Sequence, residues 1–403
     1  MALSGTLVLL FLLASAVAIL ARRMRVPYTV ALVVAGLGVG ATGLVHAPPL
    51  TKELLFAVFL PGLLFEAAFQ LEAEEFWRNR LTLFSLALPA VVVATVLIAA
   101  TLEIGSRSLA APNQIAWGPA FVFATLIAAT DPIAVVAIVR TLGAPARLGI
   151  VIEGESLLND GTAAVSFAVA VTYVLGGHAT VLALAGQFIY QITMAVIIGG
   201  AIGLAAARLL RRLDDPMIMI MVTTTAAYGS FVLTDGIGAS GVIAAVTAGL
   251  LAGTHAVQSA LTEEHRAALH IFWEYAAFAL NSLVFLLIGF QARVPALLAE
   301  WRAIVAAYVV VTIVRLIVTY AFVAAQPPKH RIPPRWTAVL AWSGLRGSLS
   351  MVLALSLPAA MPQRDLVITM TIGVVVLSIL IQGLTISPLL ERLGVSGLPR
   401  GVA

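Results

Sequence analysis

Residues 153–162 read Glu-Gly-Glu-Ser-Leu-Leu-Asn-Asp-Gly-Thr, and they sit inside an otherwise largely apolar stretch at about 146–175. Roughly 20 apolar residues carry a helix across a bilayer, so this stretch is long enough to span one. An ionisable side chain at that depth is costly unless it meets a partner or water. Glu153, Glu155 and Asp160 therefore place this helix inside a bundle, facing other helices or a cavity and not lipid. Its spacing sorts the polar groups. Glu155 stands over Asn159 and Ser156 over Asp160, each pair four residues apart, on adjoining strips of one helix face.

The rest of the chain has the same character. Of 403 residues, 61% are hydrophobic and only 10% charged, and the mean hydropathy is +1.06. A soluble domain runs nearer a quarter charged, so this chain uses lipid as its solvent. Apolar runs bounded by charged, Gly or Pro clusters give thirteen candidate helices, at about 3–21, 28–45, 50–71, 81–104, 114–141, 146–175, 181–210, 216–233, 237–254, 262–290, 301–325, 335–359 and 365–391. A count of twelve would merge or lose one of the short pair 216–233 and 237–254. Taking the loops alternately from an outside N-terminus puts sixteen of the 23 Lys and Arg on the cytoplasmic side and five outside. That bias supports an odd count with the N-terminus out and the C-terminus in. The remaining two, Arg315 and Arg346, fall inside spans.

This balance excludes several classes of function. There are no cysteines, so thiol catalysis, disulfides and thiolate metal sites are ruled out. The pI near 9.7 comes from basic residues scattered between apolar runs, a membrane-topology pattern and not a nucleic-acid patch. Residues 7–20 follow no positive n-region and read as a first span, not a cleaved signal. The expected organisation is a single transmembrane unit over 1–391 with a short cytoplasmic tail at 392–403.

Two candidate spans, the fifth and the twelfth, carry helix-interrupting chemistry at their middle. One holds Thr130-Asp131-Pro132, the other Ser343-Gly344-Leu345-Arg346-Gly347-Ser348. Interrupted segments in corresponding positions of two halves point to a transporter binding site. The expected architecture is an all-α polytopic membrane protein with inverted six-helix repeats at about 1–175 and 216–391, linked by the helix at 181–210.

The deep acids are Glu66, Asp131, Glu153, Glu155 and Asp160, and the deep bases Arg315 and Arg346. Ser156, Asp160 and a backbone carbonyl can offer hard oxygens to a small cation, the donor chemistry that alkali ions need. A carboxylate shut away from water binds a proton more readily, so proton and metal can compete for one site. Glu155 reads instead as the structural partner of Arg315 or of Arg346. Proline pushes its predecessor out of the helical region, making Asp131 an N-cap and Pro132 the first residue of a new half-helix. Thr130 is then left with a free carbonyl and hydroxyl as ion ligands, and direct coordination by Asp131 stays open. Glu66 is read as a cavity wall or a water-mediated ligand.

These residues resemble a known family. Thr130-Asp131-Pro132, Leu142-Gly143-Ala144-Pro145, the string Glu153 to Thr162, Gly344-Leu345-Arg346-Gly347 and Phe65-Glu66 look like the signature of bacterial NhaP-type Na⁺/H⁺ antiporters, relatives of the animal sodium/proton exchangers. The resemblance covers essentially the whole membrane chain. It implies thirteen helices, a homodimer, and a mobile core that moves like an elevator in a bacterial or archaeal inner membrane. It implies Asp160 as the carrier acid, with Thr130, Ser156 and Glu66 around Na⁺ or Li⁺ and Asn159 fixing the acid. Asparagine at 159 is similar to the electroneutral branch, in which one Na⁺ exchanges for one H⁺ and the arginine pair of Glu155 is structural. No cofactor is called for beyond the transported ions, and the physiological setting implied is pH homeostasis.

Two rival readings remain at this level. K⁺/H⁺ exchange differs only in cavity dimensions that sequence does not show. An intramembrane serine protease is suggested by Gly238-Ala239-Ser240-Gly241 with His255 as base, although small residues there fit close helix packing equally well.

Overall fold

The computed structural model describes residues 3–24, 26–42, 55–108, 114–176, 180–254, 257 and 259–395, and their regular structure is helical, with no strand among them. Among the described residues, seven helices are long and apolar enough to cross a membrane by themselves: Arg80–Ser108, Ala146–Gly176, Leu182–Leu210, Pro216–Asp235, Glu263–Gln291, Trp301–Ala325 and Arg364–Arg392. Their outward faces are apolar as well. Leu182, Ile189 and Ile197 are all more than half exposed along a single helix, a surface suited to lipid.

One group of helices comprises α1 (Leu3–Met24), α2 (Tyr28–Thr42) and α3 (Leu60–Gln70), the last preceded by a π turn at Leu55–Phe59. The amphipathic turn α4 (Ala73–Arg78) follows. A second group opens with α5 (Arg80–Ala87), α6 (Pro89–Ser108), α7 (Trp117–Leu126), α8 (Ile133–Thr141) and α9 (Ala146–Gly176). The chain returns to the first group with α10 (Val181–Leu210), α11 (Pro216–Asp235), α12 (Gly241–Ala252) and α13 (Glu263–Gln291). After the short α14 (Val294–Ala299), the second group closes with α15 (Trp301–Ala325), α16 (Pro334–Trp342), α17 (Ser348–Leu355) and α18 (Arg364–Arg392). The stretch expected at 216–254 is thus two separate helices, each with its own cap. Asp215 Oδ1 accepts the Met217 and Ile218 amides at 2.7 and 3.3 Å, and Ser240 Oγ accepts that of Ile243 at 3.3 Å.

Small residues set how the first group packs. In lipid there is no hydrophobic drive between helices, so association relies on close backbone approach. Gly199 and Gly203 of α10 lie on the Ala244 and Ala248 backbones of α12, and Gly249 and Gly253 of α12 lie on Phe65 and Phe69 of α3. Gly36 of α2 meets Gly289 of α13 in the same way.

In the second group the helices expected to be interrupted are interrupted. The chain leaves α7 after Leu126 and re-enters a helix at Ile133; it leaves α16 after Trp342 and re-enters at Ser348. The two linkers cross, and the Asp131 amide donates to the Leu345 carbonyl at 2.8 Å. α9 runs beside the crossing, packed on α7, and a cavity of about 360 Å³ separates the crossing from α2, α3 and α13.

Candidate functional site

At Pro132 the helical ladder has no donor, and the new half-helix starts one residue later than the sequence spacing predicts. α8 is regular from Ile133, and Pro132 just before it already has helical angles, φ −87° and ψ −11°. Asp131 nevertheless performs the capping, its Oδ1 accepting the Ile133 amide at 3.1 Å. The amide of Ser348, first residue of α17, faces the same carboxylate. One acid therefore serves the positive ends of both C-terminal half-helices. Gly347 permits this, since a side chain there would run into the Asp131 carboxyl group.

The opposite pole is met by Arg346. Its Nη1 donates to the carbonyls of Ala128 and Ala129 at 3.2 and 3.3 Å, where α7 has ended and carbonyls lack helical partners. Arg346 is 4% exposed. It is Arg315 of α15 that pairs with Glu155, Nη1 to Oε1 at 3.2 Å and Nη2 to Oε2 at 3.0 Å, with side chains 13% and 4% exposed. The choice left open by sequence is settled by reach, because Arg346 is committed to the linker carbonyls. Gly344 leaves room for the Arg315 guanidinium, which an added Cβ would strike.

Asn159 links this ion pair to the linker. Its amide nitrogen donates to Thr130 Oγ1 at 2.7 Å and to Glu155 Oε1 at 2.9 Å, while its oxygen accepts the Thr130 amide at 3.2 Å. Its bonds thus go to Thr130 and Glu155, so its hold on the neighbouring Asp160 runs through the backbone of α9. Ser156 donates to the Thr130 carbonyl, and the Thr130 hydroxyl lies 3.3 Å from Ser156 Oγ.

Asp160 differs from the other two acids of the crossing. Its Oδ1 is buried with no hydrogen-bond partner among the described residues. It lines the cavity together with Thr130, Asp131, Ser156 and Glu66. The stripe Glu153, Ser156, Leu157, Asp160 follows the i, i+3, i+4, i+7 spacing of one helix face, and all four line that cavity. At the mouth, Glu153 pairs with the exposed Arg140 at 3.4 Å, a contact worth under about 1 kcal/mol. Glu66 lines the wall and accepts from Gln70 at 2.7 Å. The structure thus brings Asp160, Ser156, Thr130, Asp131 and Glu66 to one cavity and sets Glu155, Arg315 and Arg346 behind it.

Thr29, Glu274 and Asn281 are among the lining residues that escaped the sequence reading. The filter used there was charge at depth. It passes over neutral Thr29 and Asn281, but Glu274, in the middle of the span expected at 262–290, met that criterion and was missed. Asn281-Ser282, a polar pair inside the apolar run 276–289, was the available signal. The protease reading finds no support, because Ser240 is buried and caps α12, and His255 lies outside the described residues.

Half-helices crossing beside a carboxylate that faces a cavity within an apolar helical bundle define a membrane ion carrier. The chain belongs to the sodium/hydrogen exchanger transmembrane family, whose model matches residues 8–392. It is accordingly a multi-pass membrane transporter acting in cation/proton exchange, and not an enzyme. It is 36% identical over 402 residues to the Na⁺/H⁺ antiporter NhaG of Bacillus atrophaeus, covering 96% of this chain and 74% of that one. It is 32% identical over 404 residues to the Na⁺/H⁺ antiporter NhaH of Halobacillus dabanensis, covering 96% and 97%. The fold is that of the sodium proton antiporter MjNhaP1 from Methanocaldococcus jannaschii, with a TM-score of 0.79 at 18% identity over 96% of this chain and 98% of that one.

Proposed function

We propose that the chain exchanges Na⁺ or Li⁺ for H⁺, one for one, with Asp160 carrying either ion. The observation that carries this reading is the contrast among the three acids at the crossing. Glu155 is held by Arg315 and Asn159, Asp131 is engaged with half-helix amides, and Asp160, which lines the cavity, keeps one buried oxygen without a partner among the described residues. Thr130, Ser156 and, through water, Glu66 supply neutral and anionic oxygens around the metal, a donor set suited to a hard cation. Ser156 and Thr130 hydrogen-bond each other, and binding a metal through both would require their hydroxyls to turn. The curated relatives, named as Na⁺/H⁺ antiporters, support sodium over potassium.

The same reading takes the chain as thirteen spans, N-out and C-in, with inverted repeats at about 1–175 and 216–391 and α10 as linker. The second helix group moves as a block against the first, and the exposed apolar faces allow a homodimer in the cell membrane.

The test is exchange by purified protein in liposomes carrying a pH-sensitive dye. Asp160→Asn is expected to abolish Na⁺-driven proton movement while the protein elutes as a folded species. Exchange at wild-type rate by that variant would place the carrier elsewhere.

A further inference from the structure

The cavity wall opposite the crossing carries polar side chains that this exchange scheme leaves idle, two of them neutral. Thr29 of α2 is 5% exposed and Asn281 of α13 is 8% exposed, and both line the cavity that Asp160 faces. Thr29 Oγ1 and Asn281 Oδ1 have no hydrogen-bond partner among the described residues. A hydroxyl within a membrane helix ordinarily bonds back to its own helix, as Thr162 does to Leu158, Ser230 to Ala227 and Thr371 to Val367. Leaving a buried oxygen unmatched is unfavourable. Two such oxygens belong to side chains that line one wall of the cavity, and Asp160, which also lines it, has a third.

Their neighbours are firmly tied. Tyr28 donates to Ser282 at 2.8 Å and its ring stacks on Phe278 at 5.2 Å, while Gly36 and Gly289 bring the two backbones together further along. Residue 28 thus lies beside 278–282 and residue 36 beside 286–290, so α2 and α13 present Thr29 and Asn281 from one rigid surface. No hydrogen bond among the described residues joins either side chain to the crossing, so none of theirs has to break for this surface to part from it. Threonine and asparagine offer neutral hard oxygens, which can replace water around an alkali cation without trapping it. The two ends of an amide can exchange places by rotation, so Asn281 can turn its oxygen to the cavity.

We propose that Thr29 and Asn281 form a transient second station for the transported cation. They replace part of its hydration shell as it passes between the cavity mouth and Asp160. Part of the choice among alkali ions is then made on the wall that does not carry Asp160. A proton needs no such shell, so the station serves only the metal leg. The inference rests on the exchange reading above. Because the wall stays behind when the crossing turns Asp160 to the other face, the station acts from one side of the membrane.

The full chain, inserted in one orientation in liposomes, tests this with Na⁺ supplied from either side. Thr29→Val and Asn281→Leu keep the shape and remove the oxygen. Each is expected to raise KM for Na⁺ roughly 3- to 10-fold from one side only, the loss of one neutral ligand, with maximal rate and proton KM unchanged. Thr29→Ser, which keeps the hydroxyl, is expected to match the parent and shows that the position tolerates substitution. Unchanged KM from both sides, or an equal rise from both, would overturn the station. Asp160→Asn in the same liposomes separates the two claims. If that variant is silent while Thr29→Val and Asn281→Leu behave as parent, the station alone fails; if it still exchanges, the carrier assignment fails.

Discussion

Replacing Arg315 with methionine would strand Glu155 without its main counter-charge. The carboxylate is 4% exposed and would retain only the Asn159 amide as a donor, while the Leu340 carbonyl would lose the Arg315 bond at 3.3 Å. Removing one partner of a buried pair costs about 3–5 kcal/mol, because the other charge is left uncompensated. With an unfolding entropy of about 2.1 cal/mol/K per residue over 403 residues, 4 kcal/mol lowers the midpoint by roughly 5 °C. The measurement is thermal unfolding of purified protein in detergent, beside Na⁺ KM on the folded fraction. Arg315→Met is expected to lose that stability with KM little changed, and adding Glu155→Gln is expected to restore most of it by removing the stranded charge. A double variant as unstable as the sum of the two single ones would refute the assignment of Glu155 and Arg315 as a structural pair. So would a stable single variant with weakened Na⁺ binding.

Gly344→Ala is expected to reproduce the Arg315→Met loss, since the added methyl meets the guanidinium, and to cost little more when placed on Arg315→Met; full additivity would show that the contact is not the cause. One-for-one exchange predicts no current under a clamped membrane potential, because one charge leaves for each that enters, and a reproducible transport current would contradict it. The rate is expected to fall at low pH, where protons hold the site, and at high pH, where the proton leg starves; a rate rising steadily across the range would break the competition.

The apolar runs and the two interruptions were legible because each has a local cause. Pro132 removes a donor where it stands, and length and hydropathy alone mark the long helices. Asp160, Ser156 and Thr130 could be placed on one site from charge at depth and four-residue spacing. What sequence could not give was contact across the fold. Whether Glu155 takes Arg315 or Arg346 depends on where the linker carbonyls of Ala128 and Ala129 lie, and these are more than 200 residues from Arg346 in the chain. Asn159 bonds to Thr130 and Glu155 for the same reason, since it follows the linker's position and not its own neighbour in sequence. Thr29 and Asn281 were passed over because neutral side chains raise little alarm in a span, although the Asn281-Ser282 pair breaks an apolar run, and what sets them apart is the cavity between two helix groups.

The engagement of Asp131 and Glu155, balanced by Arg346 and Arg315, leaves the crossing with one odd negative charge whenever Asp160 is empty. Loaded with either a proton or a monovalent metal, the same block is neutral. Carrying a bare charge through a low-dielectric seam costs several kcal/mol, and each 1.4 kcal/mol slows passage about tenfold. Under the exchange reading proposed above, slippage without cargo would be suppressed by electrostatics, and the tightness of coupling would need no separate latch.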